Sequence, residues 1–120
     1  MTDHHQFGKN AENYTLEFLT KKGYRFIAKN YRFGIAEVDL IMQDGSVLVC
    51  VEVKARRSDY FGTPESFLSS RQIQRLVAAM DHYVHQNDLF LEIRFDVVAI
   101  TIQGNEWKIN HIKNAFKSFG

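Results

Sequence analysis

The sequence predicts an α/β fold in which one mixed β-sheet is flanked by helices. Two stretches carry hydrophobic residues at helical spacing, one near the amino terminus and one in the second half of the chain. Three runs rich in β-branched and aromatic residues lie between these stretches, and two more follow the second one. The order is therefore α-β-β-β-α-β with a short final strand. A right-handed crossover through the second helix lays the following strand parallel to the preceding one, which makes the sheet mixed.

The first helix is predicted from Asn10 to Lys22. Asn10 is a suitable N-cap, and Gly23 can end the helix after two lysines. Residues 1–9 precede the helical pattern and are predicted to be a flexible lead-in to a single domain that spans residues 1–120. The side chains that would face the core are those of Ala11, Tyr14, Thr15, Phe18 and Leu19.

A β-hairpin is predicted at the centre of the sheet, with strands from Val38 to Gln43 and from Ser46 to Lys54. Between them, Asp44 and Gly45 tolerate the positive φ that tight hairpin turns require. A two-residue turn pairs the last residue of the first strand with the first residue of the second. The turn therefore fixes the register of the two strands.

This register brings polar side chains together on one face of the hairpin. It places Asp39 opposite Cys50 and Glu37 opposite Glu52, so that Asp39 and Glu52 become diagonal neighbours about 7 Å apart at the backbone. Because side chains alternate between the two faces, Lys54 shares the face of the acidic residues. The other face of the second strand is a β-branched core stripe of Val47, Val49, Val51 and Val53.

The remaining elements complete the sheet and the second helical layer. A strand from Tyr24 to Tyr31 and a turn from Asn30 to Gly34 lead into the hairpin. The clearest helix spans Ser70 to Gln86 and can be capped by one of two adjacent serines. Strands from Phe95 to Ile102 and from Glu106 to Ile112 follow, separated by a Gly-Asn turn.

The composition limits the classes of function. A formal net charge of +1 excludes a histone-like polycation, so nucleic-acid binding would need a local basic patch. The lone cysteine, Cys50, cannot form an internal disulfide, and the amino terminus lacks the apolar core of a signal peptide. No apolar run reaches membrane-spanning length. We therefore expect a cytoplasmic protein with no membrane partner.

The acidic face of the hairpin is typical of a site for a hard divalent cation. Mg²⁺ takes oxygen ligands and keeps several waters, so two carboxylates and a carbonyl suffice. Asp39 and Glu52 would supply the carboxylates and Val53 its backbone carbonyl, for Mg²⁺ or Mn²⁺. Lys54 can position or deprotonate an attacking water and offset charge on a phosphorane, which is the chemistry of phosphodiester hydrolysis. The alternative is a half-buried salt bridge without a catalytic role.

Four arginines near this face can hold flanking phosphates. Arg56 and Arg57 end the second hairpin strand, and Arg71 and Arg75 lie one turn apart on the polar side of the second helix. A guanidinium group can donate two parallel hydrogen bonds to the oxygens of one phosphate, which favours a nucleic-acid contact. A solvated helix surface is the alternative for the second pair. The segment 58–65 between them is predicted to be an irregular loop.

The series Asp39, Glu52, Val53 and Lys54 resembles the PD-(D/E)xK motif of restriction-endonuclease-like nucleases. Val38 stands where the name of the motif has proline. The resemblance implies a restriction-endonuclease-like fold, in which these positions bind metal and activate water. It also implies that the substrate is DNA.

From residue 8 to its end, the chain is similar to the YraN family of uncharacterised bacterial proteins. The matching positions are Gly8, Glu12 and the segments 23–24, 30–32, 37–41, 51–56, 61–64, 94–98 and 114–116. The resemblance implies that Glu12 assists metal binding, as a helix glutamate does in archaeal Holliday-junction resolvases. Spacing alone would give it only a role at the helix dipole. Glu37 is expected to support the site. The sequence departs from the family at Ala11, Ala36 and Arg71, where Gly, Gly and Lys are usual.

Three functions are compatible with these residues. The first is a magnesium-dependent endonuclease acting on DNA, including structured or branched DNA. The second is a nucleic-acid-binding module on the same fold with little or no turnover. The third is a protein whose acidic hairpin is only a salt-bridge network. The small size and near-neutral charge favour a protein that needs a homodimer or another partner to hold a duplex.

Overall fold

The computed structural model describes residues 4–57 and 68–116. Within these ranges the chain follows the predicted α-β-β-β-α-β order with a final strand. The elements are α1 (His4–Lys21), β1 (Arg25–Phe33), β2 (Ala36–Asp44), β3 (Val47–Arg57), α2 (Ser70–Gln86), β4 (Glu92–Gln103) and β5 (Glu106–Phe116). The loop predicted at 58–65 lies outside the described residues.

The strands form one mixed sheet in the order β1-β2-β3-β4-β5. Strands β1, β2 and β3 are an antiparallel meander, and β5 is antiparallel to β4. Strand β4 runs parallel to β3, as a crossover through α2 requires. The prediction of a mixed sheet flanked by helices is therefore confirmed. In the part of the chain that the structure describes, neither helix is long and apolar enough to cross a membrane.

The two helices cover opposite faces of the sheet. Strand β3 alternates between two core clusters, with Val49 and Val51 on the α1 side and Leu48 and Cys50 on the α2 side. All four side chains are almost completely buried. A strand buried on both faces is central to its sheet, and any charged side chain near its end enters a low-dielectric environment.

The predicted limits of α2 are confirmed at both ends. Ser69 is its N-cap, and the Ser69 hydroxyl accepts a hydrogen bond from the Gln72 amide at 3.1 Å. The predicted start of α1 was wrong, because the helix begins at His4 and Asn10 lies inside it. Phe7 is the only large apolar residue between His4 and Asn10, so hydrophobic periodicity could not reveal that this segment is helical.

The predicted register of the hairpin was also wrong by two positions. The turn consists of Gly45 and Ser46, and Asp44 pairs with Val47 as the last residue of β2. Gly45 has φ +61°, which suits the first position of a two-residue turn that needs positive φ only there. Asp44 is held in the strand by an ion pair with Arg94 at 3.1 Å.

The corrected pairing changes the partners of the acidic residues but not the faces of β3. Ile41, not Asp39, lies opposite Cys50, and the ladder ends where Leu40 pairs with Val51. Glu37 is consequently not opposite Glu52. Because the slip is an even number of residues, each β3 side chain keeps its predicted face.

Two other strand limits differ from the prediction. Strand β1 continues to Phe33 through the predicted turn region, with Asn30 at φ +53° inside it and the actual turn at Gly34 and Ile35. Strand β5 continues past Ile112 to Phe116. Asn30 accepts the left-handed conformation more readily than most residues, so the strand can bend there without ending.

Candidate functional site

Asp39 lies where the side-chain alternation of β2 is interrupted. Val38 and Ile41 both enter the core on the α2 side, whereas Leu40 enters the core on the α1 side. The alternation of side chains between the two faces is therefore broken at Asp39, the residue between Val38 and Leu40. The Asp39 carboxylate reaches β3, where its Oδ2 accepts a hydrogen bond from the Val53 amide at 2.8 Å. A side-chain oxygen thus contacts β3 just beyond the last backbone pair of the hairpin.

Glu52 is the most buried acidic residue of this site, with 6% of its surface exposed. Its Oε2 accepts a hydrogen bond from the side-chain amide of Gln72 (Nε2) at 3.1 Å and lies 3.8 Å from the Lys54 ammonium group. Its Oε1 is buried without a hydrogen-bond partner. A buried acceptor without a partner is costly, so this oxygen marks a place where a proton or a cation would be stabilised.

The two carboxyl groups disturb each other. Burial, followed by the adjacent charge of Asp39, raises the pKa of Glu52 to about 9. Burial also raises the pKa of Asp39, although contact with Glu52 and the Val53 amide opposes that increase. At neutral pH the pair therefore retains a proton when no cation is present. A divalent cation bound between the two carboxylates could replace this proton.

Glu12 brings a third carboxylate to the same place. It projects from α1, and its Oε1 accepts a hydrogen bond from the Asn30 side-chain amide at 3.2 Å. Burial raises the pKa of Glu12, and the charges of Asp39 and Glu37 add to this effect. A cavity of about 350 Å³ is lined by Gly8, Ala11, Glu12, Asp39, Glu52, Val53, Lys54, Ala55 and Arg56.

A second cavity of about 290 Å³ opens on the α2 side of the same two carboxylates. Its lining residues are Ile35, Ala36, Glu37, Asp39, Glu52, Ser69, Gln72, Arg75 and Leu76. Asp39 and Glu52 line both cavities, so the acidic pair can be approached from both sides of the sheet end. Glu37 forms an ion pair with Arg32 at 3.0 Å, which partly offsets its charge.

The four arginines predicted to contact nucleic acid are not equivalent. Arg56 lines the first cavity and Arg75 the second. Arg71 is exposed and does not line either of these cavities. Arg57 is the last residue of β3. Among the arginines whose side chains the structure describes, Arg56 and Arg75 therefore lie near the acidic pair and Arg71 does not.

The donor set fits a small hard cation. Within the described residues, no three His, Cys, Asp or Glu side chains have the arrangement of a metal site. Asp39 and Glu52 do converge, with Val53 on the wall of the first cavity, and Mg²⁺ needs only one or two carboxylates because it keeps several waters. The unpartnered Glu52 Oε1 and the mutual repulsion of the carboxylates provide the physical reason for a cation to bind here.

Sequence reasoning missed two residues that hold the site together. Gln72 positions the Glu52 carboxylate from the first turn of α2, and Asn30 contacts Glu12 from β1. Neither contact has a local sequence signal, because each joins elements distant along the chain. Gln72 follows the N-cap by three residues, so only the position of the cap hinted at its location.

A separate buried carboxylate, Asp96, lies in a polar cluster near the β2–β3 turn. Its oxygens accept hydrogen bonds from Arg94 at 2.9 Å, His111 Nε2 at 2.7 Å and the Asn114 amide at 3.0 Å. These donors outweigh the effect of burial and lower the pKa of Asp96 to about 2. Arg94 also donates to the Tyr24 hydroxyl at 2.7 Å. This cluster joins β4 and β5 to the start of β1.

Comparisons with other proteins identify the family. The model of the uncharacterised protein family UPF0102 matches residues 11–100. The UPF0102 protein FP2501 of Flavobacterium psychrophilum is 46% identical, with 99% of this chain and 100% of the relative covered. A UPF0102 protein of Christiangramia forsetii is 42% identical with the same coverage, and one of Thermodesulfovibrio yellowstonii is 39% identical over 92% of this chain and 96% of the relative. The chain therefore belongs to the UPF0102 family, also called YraN.

Proposed function

We propose that this protein is a magnesium- or manganese-dependent endonuclease that hydrolyses phosphodiester bonds in DNA, including structured or branched DNA. The observation that carries the proposal is the pair of carboxyl groups of Asp39 and Glu52, which line both cavities. Lys54 lies 3.8 Å from Glu52. A purely structural salt bridge would satisfy its buried oxygens, whereas Glu52 Oε1 lacks a partner.

The sheet supports the further proposal of a restriction-endonuclease-like fold. The acidic residues project from two adjacent antiparallel strands, β2 and β3, and the next strand, β4, is parallel to β3. This arrangement agrees with the resemblance of Asp39, Glu52 and Lys54 to the PD-(D/E)xK motif. Glu52 and Lys54 lie on β3, which is the central strand of this sheet.

Five residues that line the first cavity have roles in the proposed reaction. Asp39, Glu52 and the Val53 carbonyl would hold the cation, with Glu12 assisting. When bound, a divalent cation neutralises phosphate charge and lowers the pKa of the attacking water. Lys54 would orient this water and stabilise charge on the phosphorane. The water oxygen forms the new bond to phosphorus, one bridging P–O bond breaks, and the departing oxygen takes up a proton.

The substrate strand would extend from one cavity into the other. Arg56 and Arg75 supply a cation on each side of the acidic pair, which suits phosphates that flank the scissile one. Arg71, which is exposed on α2, would contact a phosphate farther away, and Arg57, the residue after Arg56, is a further proposed phosphate contact. One active site cuts one strand, so cleavage of both strands of a duplex or junction would require a homodimer. A DNA substrate and the buried lone cysteine agree with a cytoplasmic location.

The decisive experiment is a cleavage assay on labelled single-stranded, duplex, flap and four-way DNA, each with Mg²⁺, Mn²⁺ or chelator. We expect cleavage that requires a metal and that is lost in Lys54→Ala. The loss should be about 10²- to 10⁴-fold in rate, because Lys54 acts on the water and the transition state. Binding of DNA to the variant, measured in chelator, should remain close to that of the parent.

Two outcomes would contradict this proposal. Metal-dependent cleavage that survives in Lys54→Ala would remove that residue from the mechanism. Tight DNA binding without cleavage of any substrate would instead favour a nucleic-acid-binding module that keeps the site without turnover. Arg25→Ala is a suitable control, because Arg25 is exposed and its guanidinium contacts Gln43, near the β2–β3 turn.

A further inference from the structure

The β1–β2 turn presents an apolar residue to solvent without a structural reason. Ile35 is 80% exposed, although the turn needs only Gly34, whose φ is +61°. A β-branched side chain has no conformational advantage at a tight turn, where small and polar residues are common. Phe33, the last residue of β1, is 39% exposed and precedes the turn. Single exposed apolar residues are common on protein surfaces, so only the location of Ile35 can indicate a function for it.

Ile35 borders the acidic pair. It lines the second cavity together with Asp39, Glu52 and Arg75. The turn therefore extends the wall of the candidate site outward into solvent, where Ile35 can contact a ligand that fills the cavity. No other described hydrophobic residue with a largely exposed side chain lines either cavity.

Aromatic rings support the base of the turn. The Phe33 ring stacks on His82 with centroids 4.3 Å apart and an interplanar angle of 22°. His82 is fixed in turn by Tyr31, whose hydroxyl lies 2.6 Å from Nδ1. This packing holds β1 against α2 and gives the exposed turn a rigid base. A rigid support reduces the entropy lost when an exposed side chain inserts into a ligand.

We propose that Ile35 is a wedge that contacts an unpaired or unstacked base beside the scissile phosphate. This inference rests on the proposed nuclease function and assigns its substrate class, DNA with unpaired bases at a branch or fork. Apolar side chains such as Ile insert between base steps, and aromatic rings such as Phe33 give bases a surface for stacking.

The charges around the turn select nucleic acid over a second copy of this chain. Arg75 lies in the cavity that Ile35 lines, together with Glu37, Asp39 and Glu52. Arg32, next to Phe33, has 76% of its side chain exposed and pairs with Glu37 at 3.0 Å, so Arg75 is the cation of this cavity. An apolar tip beside Arg75 suits a nucleotide, whose base would contact Ile35 while its phosphate contacts the guanidinium group. In a contact between two copies of the chain, the carboxylates of both cavities would instead approach each other.

The test measures DNA binding in chelator, so that cleavage does not interfere. The probes are a forked DNA with 2-aminopurine at the branch, a single strand and a blunt duplex. We expect Ile35→Ser to bind the fork roughly fivefold more weakly, with little change for the duplex. Ile35→Trp should bind the fork more tightly and quench 2-aminopurine more strongly, because an indole stacks better than an aliphatic side chain.

Phe90→Ser is the matched control, because Phe90 is 98% exposed and lines neither cavity. It should bind all probes like the parent. Equal loss of fork and duplex binding in Ile35→Ser would overturn the wedge, as would unchanged fork binding in both Ile35 variants. A change in oligomeric state on sedimentation of Ile35→Ser would also overturn it, by assigning the turn to a contact between copies.

These outcomes are separable from failure of the nuclease proposal. If the parent cleaves DNA with metal but Ile35 variants behave like the parent, only the wedge is wrong. If the parent binds none of the probes and cleaves none, the nuclease function fails and the wedge fails with it.

Discussion

Two buried carboxylate clusters in this small sheet have opposite electrostatic designs. Asp96 is completely buried and receives hydrogen bonds from Arg94, His111 and the Asn114 amide. Glu52 is nearly as buried, yet its nearest cation is 3.8 Å away and one of its oxygens has no partner. The pKa of Asp96 falls to about 2 and that of Glu52 rises to about 9.

The difference separates a group that stabilises the fold from one that is available to a ligand. Burial alone opposes ionisation in both clusters, and the number of donors determines which way the pKa moves. At Asp96 the protein supplies every donor itself, so the charge is satisfied without a ligand. At Asp39 and Glu52 the protein leaves a deficit of positive charge beside two cavities. Such a deficit is expected where a cation completes the site.

The largest expected effect on stability comes from removing the charge of Asp96, whose hydrogen-bond donors are all supplied by the protein. Asp96→Asn replaces a carboxylate oxygen with an amide NH₂, which then faces donors instead of accepting from them. His111 Nδ1 lies 2.9 Å from the Lys22 ammonium, so Nε2 carries the proton and must donate. Loss of one partner from a buried ion pair costs about 3–5 kcal/mol. The melting temperature should fall by more than about 10 °C, as measured by circular dichroism.

The same substitution at the acidic site should have the opposite sign. Asp39→Asn keeps the shape but removes one of two carboxyl groups that cannot both ionise without repulsion, so we expect it to melt above the parent in chelator. A melting temperature below the parent's in chelator would mean that Asp39 is paired structurally, and would contradict the comparison. Asp96→Asn is the matched control, since it changes a buried Asp to Asn in the satisfied cluster.

Metal should then distinguish the parent from Asp39→Asn. A cation that binds only the folded protein adds RT ln(1 + [L]/Kd), about 2.7 kcal/mol at a hundredfold excess over Kd. This corresponds to a rise in melting temperature on the order of 10 °C for the parent. The variant has lost one good ligand and should gain much less from Mg²⁺ or Mn²⁺. A parent that melts at the same temperature with and without both metals would leave the carboxylates without a cation.

The fold was largely predictable because its signals are local. The apolar stripe and the serine cap gave α2 its correct limits, since both act within a few residues. The hairpin register was not predictable in the same way. Which residue enters the turn depends on the ion pair between Asp44 and Arg94, which are distant in sequence. This tertiary contact outweighs the local preference of Asp-Gly for the two turn positions, so Asp44 stays in the strand.

The strand residues of the site were predicted, and so were Glu12 and Arg75 on the helices, but the contacts that position the site from α2 were missed. Asp39, Glu52 and Lys54 were expected to meet, and they do, because a register error of two residues preserves the faces of β3. The hydrogen bond from Gln72 and the distinction between Arg75 and Arg71 required the position of α2 over the sheet. The placement of a helix on a sheet depends on packing between residues that are distant in the sequence. No local sequence pattern reveals that packing.

The pH dependence of stability should differ between the two clusters. The folded pKa of Asp96 is depressed to about 2, so its contribution is present above pH 4 and is lost as the pH falls from about 4 to 2. The folded pKa of Glu52 is raised to about 9, so its contribution is present below about pH 4.5 and is lost as the pH rises toward 9. In chelator, the parent should therefore lose several degrees of melting temperature between neutral pH and about pH 9.

Glu52→Gln should flatten this alkaline loss, because the amide has no proton to release. Mg²⁺ should raise the melting temperature of the parent more at pH 8 than at pH 6, since cation binding must displace the proton that the acidic pair retains. An alkaline loss of equal size in Glu52→Gln would assign it to another group and would remove Glu52 from the comparison.

The smallest expected effect is on the affinity for DNA and its salt dependence, which should depend on the arginines near Asp39 and Glu52. A protein that neutralises phosphates loses affinity as salt rises, with a slope that reports the number of contacts. Arg75→Ala should lower DNA affinity and reduce this slope by about one contact, because Arg75 lines the second cavity beside Asp39 and Glu52. Arg71→Ala removes an exposed guanidinium one helical turn away. Its slope should also fall by about one contact if DNA continues along α2.

Cleavage distinguishes these two arginines more sharply than binding does. Arg75 lies beside the carboxylates, so Arg75→Ala should lower the cleavage rate at saturating DNA as well as the affinity, whereas Arg71→Ala should lower only the affinity. Fluorescence anisotropy over a series of salt concentrations gives the slopes, and single-turnover assays give the rates. Arg25→Ala, near the β2–β3 turn, should change neither. If all three variants have the slope of the parent, the phosphates do not contact α2, and both of its arginines belong to a solvated helix surface.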